Sequence, residues 1–179
     1  KRRNRDSDFQ YRFDSYFYYL TGFTEPNALL VITGDGGSTL FCAPKDQERE
    51  IWDGYRLGPA MAPNILGVDA AYSYEELDQN IPKMLENKSL VSYPFAIHDG
   101  LETRVSQWLN KVRARVRFGV NCPDIQQDAC TMLDNMRLIK DSHELATMRK
   151  AAQISAAGHI RAMKVSKQML SEGRDTREF

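Results

Sequence analysis

The side chains able to do acid–base, nucleophilic or metal chemistry are scattered in this chain. Its three histidines are His98, His143 and His159. His98 falls in a loop, and the other two fall on one long helix, sixteen residues or more than four turns apart, so they cannot share a metal. Each reads as a structural or surface histidine. The three cysteines, Cys42, Cys122 and Cys130, are odd in number, widely spaced and without a CxxC pair. That excludes a disulfide framework and a zinc knuckle, and it suits reduced thiols in a cytoplasmic protein. Gly34-Asp-Gly-Gly37 lacks the Lys-Ser/Thr of a phosphate-binding loop and joins strand to strand, which makes it a hairpin turn. No nucleophile elbow occurs, and no two carboxylates have a spacing that marks a general acid and base. Taken on its residues alone, the chain binds, positions or oligomerises.

Composition narrows this further. The 179 residues are 42% hydrophobic and 27% charged, with 24 basic residues against 24 acidic ones. A zero net charge provides no field to gather nucleic acid or an anionic membrane. Basic runs at Lys1–Arg5 and Lys111–Arg117 read as solvated faces, and nucleic acid is not an expected partner. No apolar run reaches the roughly 18 residues of a membrane span. The basic start has no hydrophobic stretch behind it, so it is not a signal peptide. The length fits one full domain and part of another, and a start without Met points to a piece of a longer protein.

The elements that must position any site follow from pattern. Six of the ten residues from Phe13 to Gly22 are aromatic or Leu. Asp14 or Ser15 caps a short helical turn there, and Thr21-Gly22 breaks it. The rings read chiefly as filling the core at a helix-to-strand corner; alternatively, part of the cluster faces a partner subunit or a ligand. Ala28–Thr33 and Ser38–Ala43 are two strands of a hairpin. Lys45–Asp53 forms one or two helical turns, then Gly54–Pro59 is a loop and Gly67-Val-Asp69 a turn. Ser73-Tyr-Glu-Glu76 is a capping box opening a helix to about Glu86, which Pro82 bends or shortens. Ser89–Tyr93 is a strand, and Leu101, Val105, Trp108, Leu109, Val112 and Val116 stripe one face of a long helix. Strands alternating with helices make an α/β layered domain around a mixed sheet. Asp124–Arg137 reads as a linker helix. Asp141 or Ser142 caps a final helix to about Lys164, whose wide apolar stripe needs partners on two sides.

Four ordered stretches carry a resemblance: Tyr11-Arg-x-Asp-Ser-x-Phe-x-Tyr-Leu-Thr-Gly-Phe-x-Glu-Pro26, Glu50-Ile-Trp-Asp-Gly-x-Arg-x-Gly58, Gly67-Val-Asp69, and Met136-Arg-Leu-Ile-Lys-x-x-x-Glu-x-x-x-Met-Arg-x-Ala151. Together they resemble the N-terminal portion of aminopeptidase P (Xaa-Pro aminopeptidase), the bacterial type and its organellar relatives more than prolidase or creatinase. The resemblance implies a creatinase-type domain over residues 1–122 with a six-stranded mixed sheet, its first strand expected ahead of Lys1. It further implies a linker helix over 123–138 and the opening of a pita-bread peptidase domain over 139–179. The family holds two divalent metals, usually manganese, on two Asp, one His and two Glu of the second domain. A metal-bound hydroxide there attacks the bond before a proline in second position. None of those ligands falls in this chain, so it is assigned no catalytic residue and no metal ligand, and by itself it is expected to be inactive. Subunits of the family associate as dimers or tetramers, so that this domain reaches a neighbour's pocket. By motif matching, Trp52 would give that pocket an aromatic wall, while Asp6 and Arg117 would give polar contacts. The plainer alternatives are a core tryptophan and two solvated loop charges. Two other functions stay open: a binding or assembly module without catalysis, and part of a prolidase-like dipeptidase.

Overall fold

The computed structural model describes Arg5 and residues 9–173, except the side chain of Asp53. Two compact units divide it, Lys1–Cys130 and Thr131–Phe179. In the first, Asp14 caps helix α1 (Ser15–Thr21), its carboxylate accepting the Phe17 N–H at 2.8 Å, and Gly22 at φ +65° ends the helix. Strand β1 (Leu29–Ile32) then turns through Thr33–Gly37 into the antiparallel β2 (Ser38–Cys42), with Leu30 opposite Leu40. Helices α2 (Gln47–Asp53) and α3 (Ala62–Leu66) cross over to β3 (Ala70–Ser73), which lies parallel to β2. Asp69 fastens the start of that pair, accepting from the Ser38 N–H at 2.7 Å and the Ser38 hydroxyl at 2.8 Å.

The capping box at Ser73 is formed, followed by a 3-10 turn at Tyr74–Glu76 and helix α4 (Leu77–Leu85). Next come β4 (Leu90–Tyr93), α5 (Leu101–Arg113), a 3-10 turn at Val116–Phe118, and β5 (Ile125–Asp128) parallel to β4.

Strand alternation sorts the core into two layers. Phe41 of β2, with Leu29 and Val31 of β1, faces α4 and α5 through Leu77, Ile81, Val105, Trp108, Leu109 and Val112. Leu40 and Cys42 face the other way, onto Phe23, Leu57, Ala62 and Val68. Phe41 is fully enclosed, and emptying a site of that kind costs about 3–5 kcal/mol. The second unit holds α6 (Cys130–Leu138), apart from its first residue, and the thirty-residue α7 (Ser142–Ser171). Asp141 caps α7 in a capping box with Glu144.

Several expectations are corrected. The rings of α1 do not fill the core: that helix has no buried residue, and only Phe17 packs on the second layer, next to the buried Phe23. Its rings sit on a surface helix, with Phe13 stacked on Tyr18 at 4.4 Å. The stretch assigned to a linker helix begins as β5, because pairing with β4 decides the state of Ile-Gln-Gln-Asp. The expected six-stranded sheet is replaced, among the described residues, by five strands in a three-stranded mixed sheet and a two-stranded parallel one. Both sheets lie under the same two helices, β4 through Val91 and Tyr93. The final helix runs on to Ser171, passing through Gly158 without a break and meeting no Pro, and it ends just before Gly173 at φ +66°.

Candidate functional site

Helix α2 is built to present its end. Asp46 caps it, accepting from the Glu48 N–H at 3.1 Å and the Arg49 N–H at 3.2 Å, and Glu48 and Glu50 place negative charge in the first turn. The helix stops where the Gly54 N–H bonds the Glu50 carbonyl and the backbone turns to φ +86°. Just before that stop, Ile51 is 79% and Trp52 88% exposed, and just after it Tyr55 is 66% exposed. Trp52 is therefore not a core residue of this chain.

The base beneath these side chains is fixed by contacts from elsewhere. Glu50 accepts the Arg56 N–H at 3.2 Å, and Lys45 lies 3.9 Å from the same carboxylate oxygen. The Lys45 ammonium also stands 4.6 Å from the centre of the Tyr55 ring, within cation–π range. Glu25, thirty-two residues away, accepts the Leu57 N–H at 2.7 Å. Gly58 has φ +70°, a left-handed backbone that favours glycine, and a Cβ there would lie in tight contact, 3.3 Å from the Lys45 backbone nitrogen. The result is an isoleucine and a tryptophan on the last turn of α2 and a tyrosine on the braced loop after it, all held out to solvent. Such a surface can wall an apolar pocket or enter a partner.

Arg117 sits in the 3-10 turn after α5, exposed, with Phe118 beside it 82% exposed. No hydrogen bond, ion pair or ring contact joins it to Trp52 among the described residues. Asp6 lies outside the described residues. His98, His143 and His159 are all exposed.

None of the three cysteines forms a disulfide. Burial, reinforced by the negative charge of Glu25, pushes the Cys42 thiol up to about 11, so it stays protonated and is a poor nucleophile. Cys122 directs its thiol at the Leu109 carbonyl, 3.6 Å away. Among the described residues no three His, Cys, Asp or Glu side chains converge on a point that could hold a metal ion. The donor set of the described residues does not fit the metal pair that the resemblance implies for the family. No helix among the described residues is long and apolar enough to cross a membrane.

Glu25, Lys45 and Glu50 were not singled out by sequence reasoning as site residues. Glutamates and lysines are mostly solvated, and the contact from Glu25 to Leu57 spans too many residues to show as periodicity. Their one signal was that Glu25 and Glu50 lie inside two of the four matched stretches.

Comparison with known proteins identifies the family. The family model described as "Aminopeptidase P, N-terminal domain" matches residues 1–92. The Xaa-Pro aminopeptidase of Haemophilus influenzae is 41% identical over 170 residues, covering 93% of this chain and 37% of that protein. The Escherichia coli Xaa-Pro aminopeptidase is 36% identical over 165 residues, with 90% and 37% covered. The chain thus spans a little over a third of the length of these relatives. Among solved structures, Pseudomonas aeruginosa aminopeptidase PepP superposes with a TM-score of 0.86 at 38% identity, covering 91% of this chain and 38% of that one. Zinc-substituted E. coli aminopeptidase P in complex with product gives 0.86 at 36% identity, with 90% and 38% covered. The chain belongs to the aminopeptidase P family, to whose N-terminal domain its first 92 residues correspond.

Proposed function

We propose that this chain is the pocket-completing and oligomerising part of a metal-dependent aminopeptidase that removes the first residue from peptides with proline second. The observation that carries this is Trp52, a large apolar ring held out of its own fold at the end of a capped helix. A ring kept so exposed on the last turn of a capped helix suits an aromatic wall supplied to a neighbouring subunit's proline-binding pocket. Asp6 and Arg117 would add polar contacts to the same peptide. Catalysis would rest on two divalent metals, manganese in the usual case, held by a peptidase domain that opens at about residue 139. The first domain then covers residues 1–122 and the linker 123–138. Three cysteines outside any disulfide suit a cytoplasmic setting.

The deciding experiment is Trp52→Ala in the whole gene product, followed by turnover of a proline-second tripeptide. Turnover falls while thermal stability holds; equal losses in both would return Trp52 to a packing role. The 179-residue chain alone, supplied with manganese, shows no hydrolysis of a Gly-Pro-type peptide, and turnover above background would overturn the assignment of catalysis to another domain.

A further inference from the structure

We propose that Glu25 is the positioning residue for the Trp52 display, an inference that rests on the pocket role of Trp52 given above. Glu25 is not on the display, yet it reaches across the fold to it. One carboxylate oxygen takes the Leu57 N–H at 2.7 Å. Leu57 is buried in the second core layer together with Phe23, two residues before Glu25 in the chain. From Leu57 the chain of contacts runs outward. The preceding Arg56 N–H bonds Glu50, and the Gly54 N–H bonds the Glu50 carbonyl. Those two bonds fix the last turn of α2, where Trp52 stands.

The second oxygen of Glu25 is the more telling one. It has no solvent access and no hydrogen-bond partner. Its charge is felt by the buried Cys42 thiol, whose ionisation it opposes. Glu25 is half-buried, and a carboxylate oxygen kept from solvent without a partner beside an apolar layer is costly. What Glu25 supplies that an apolar side chain cannot is an acceptor at the Leu57 amide. A functional side chain on a loop needs such a fixed support to hold its geometry.

The test uses the whole gene product and two substitutions at this position. Glu25→Asp draws the carboxylate back from Leu57, whereas Glu25→Gln keeps a carbonyl acceptor of the same reach while removing the charge and replacing the other oxygen by an amide NH2. With Glu25→Asp, KM for a proline-second tripeptide rises about ten- to hundredfold at little change in kcat, as expected when a binding wall is misplaced by about 1 Å. Glu25→Gln restores KM to within about threefold of the parent. The Leu57 amide exchanges with deuterium faster in Glu25→Asp and at the parental rate in Glu25→Gln. In a Trp52→Ala background, Glu25→Asp leaves KM unchanged. Equal KM rises with and without Trp52, no rise for Glu25→Asp alone, or failure of Glu25→Gln to restore KM would each overturn the positioning role. If Trp52→Ala by itself leaves KM unchanged, the pocket role of Trp52 falls, and the positioning role falls with it. An effect of Trp52→Ala beside none of Glu25→Asp sinks the positioning role alone.

Discussion

Replacing Trp52 by alanine separates a display residue from a packing residue, and the structure sets the size of each effect. An aromatic side chain of this size buries up to about 250 Å² when enclosed. Trp52 is 88% exposed, so its own chain covers only about 30 Å² of that, which at about 25 cal/mol per Å² is about 0.8 kcal/mol. For a chain of this length, a loss of that size moves the melting temperature by no more than about 3 °C. The exposed remainder is about 220 Å², and a neighbouring pocket covering half of it would gain about 2.8 kcal/mol. That corresponds to about a hundredfold in an equilibrium constant. Truncation should therefore cost about two orders of magnitude in kcat/KM on proline-second peptides, while the 179-residue chain melts almost where it did. Differential scanning calorimetry of the chain and steady-state kinetics of the whole gene product give the two numbers. A melting shift well above 3 °C with a kinetic loss below threefold would show that the ring packs on its own fold, against its exposure.

Two further outcomes follow from ionisable groups. The Asp78 carboxyl is held below the usual carboxylate range, first by the Trp108 indole N–H at 2.6 Å and then by Arg104 at 3.1 Å, with burial opposing. Because the folded-state value is depressed, this contribution is present above about pH 4, where an unfolded Asp titrates, and is lost as pH falls below it. Urea unfolding followed by Trp108 fluorescence should weaken between pH 5 and pH 3 by more in the parent than in Asp78→Asn. The Cys42 thiol is the opposite case: it ionises at about 11 when folded, against about 8.5 for an unfolded thiol. Its contribution is complete below about pH 8.5 and fades as pH rises toward 11. Cys42 should resist a thiol-specific reagent at pH 8 until denaturant is added, and rapid labelling of the native chain would contradict its burial.

What the sequence revealed of this fold was whatever has a local cause. The Asp14 and Asp141 caps, the Ser73 capping box, the hairpin and the stripe on α5 each depend on residues within a few positions of one another, so their signals are intact in the primary structure. Strands β3 and β5 escaped because Ala-Ala-Tyr-Ser and Ile-Gln-Gln-Asp have no alternation of their own; each is a strand through its parallel neighbour. Helix α3 escaped because it is short and carries Pro63 at its start. The ring-rich α1 misled for a different reason. Counting aromatic residues measures how much apolar surface a segment owns, and burial depends on which face of it the rest of the chain covers.

The same distinction explains how the matched stretches relate to the site. Three of the four send a residue into one small core layer: Phe23 from the first, Leu57 from the second and Val68 from the third. The first also supplies Glu25, whose bond to Leu57 ties it to the second, and the third supplies Asp69, which locks β2 to β3. Of all the residues in these three stretches, Trp52 is the one large ring that the fold leaves almost wholly uncovered. The resemblance is thus mostly a record of the support, a layer that must pack in one way for the ring to stand in one place. A support of this kind leaves a dense signature because many residues have to agree, whereas the displayed ring contributes a single position. It follows that the pattern strong enough to reveal the family is spread largely over residues that build the support, and that the test of the proposed function lies at Trp52 and at the Glu25 carboxylate bonded to Leu57.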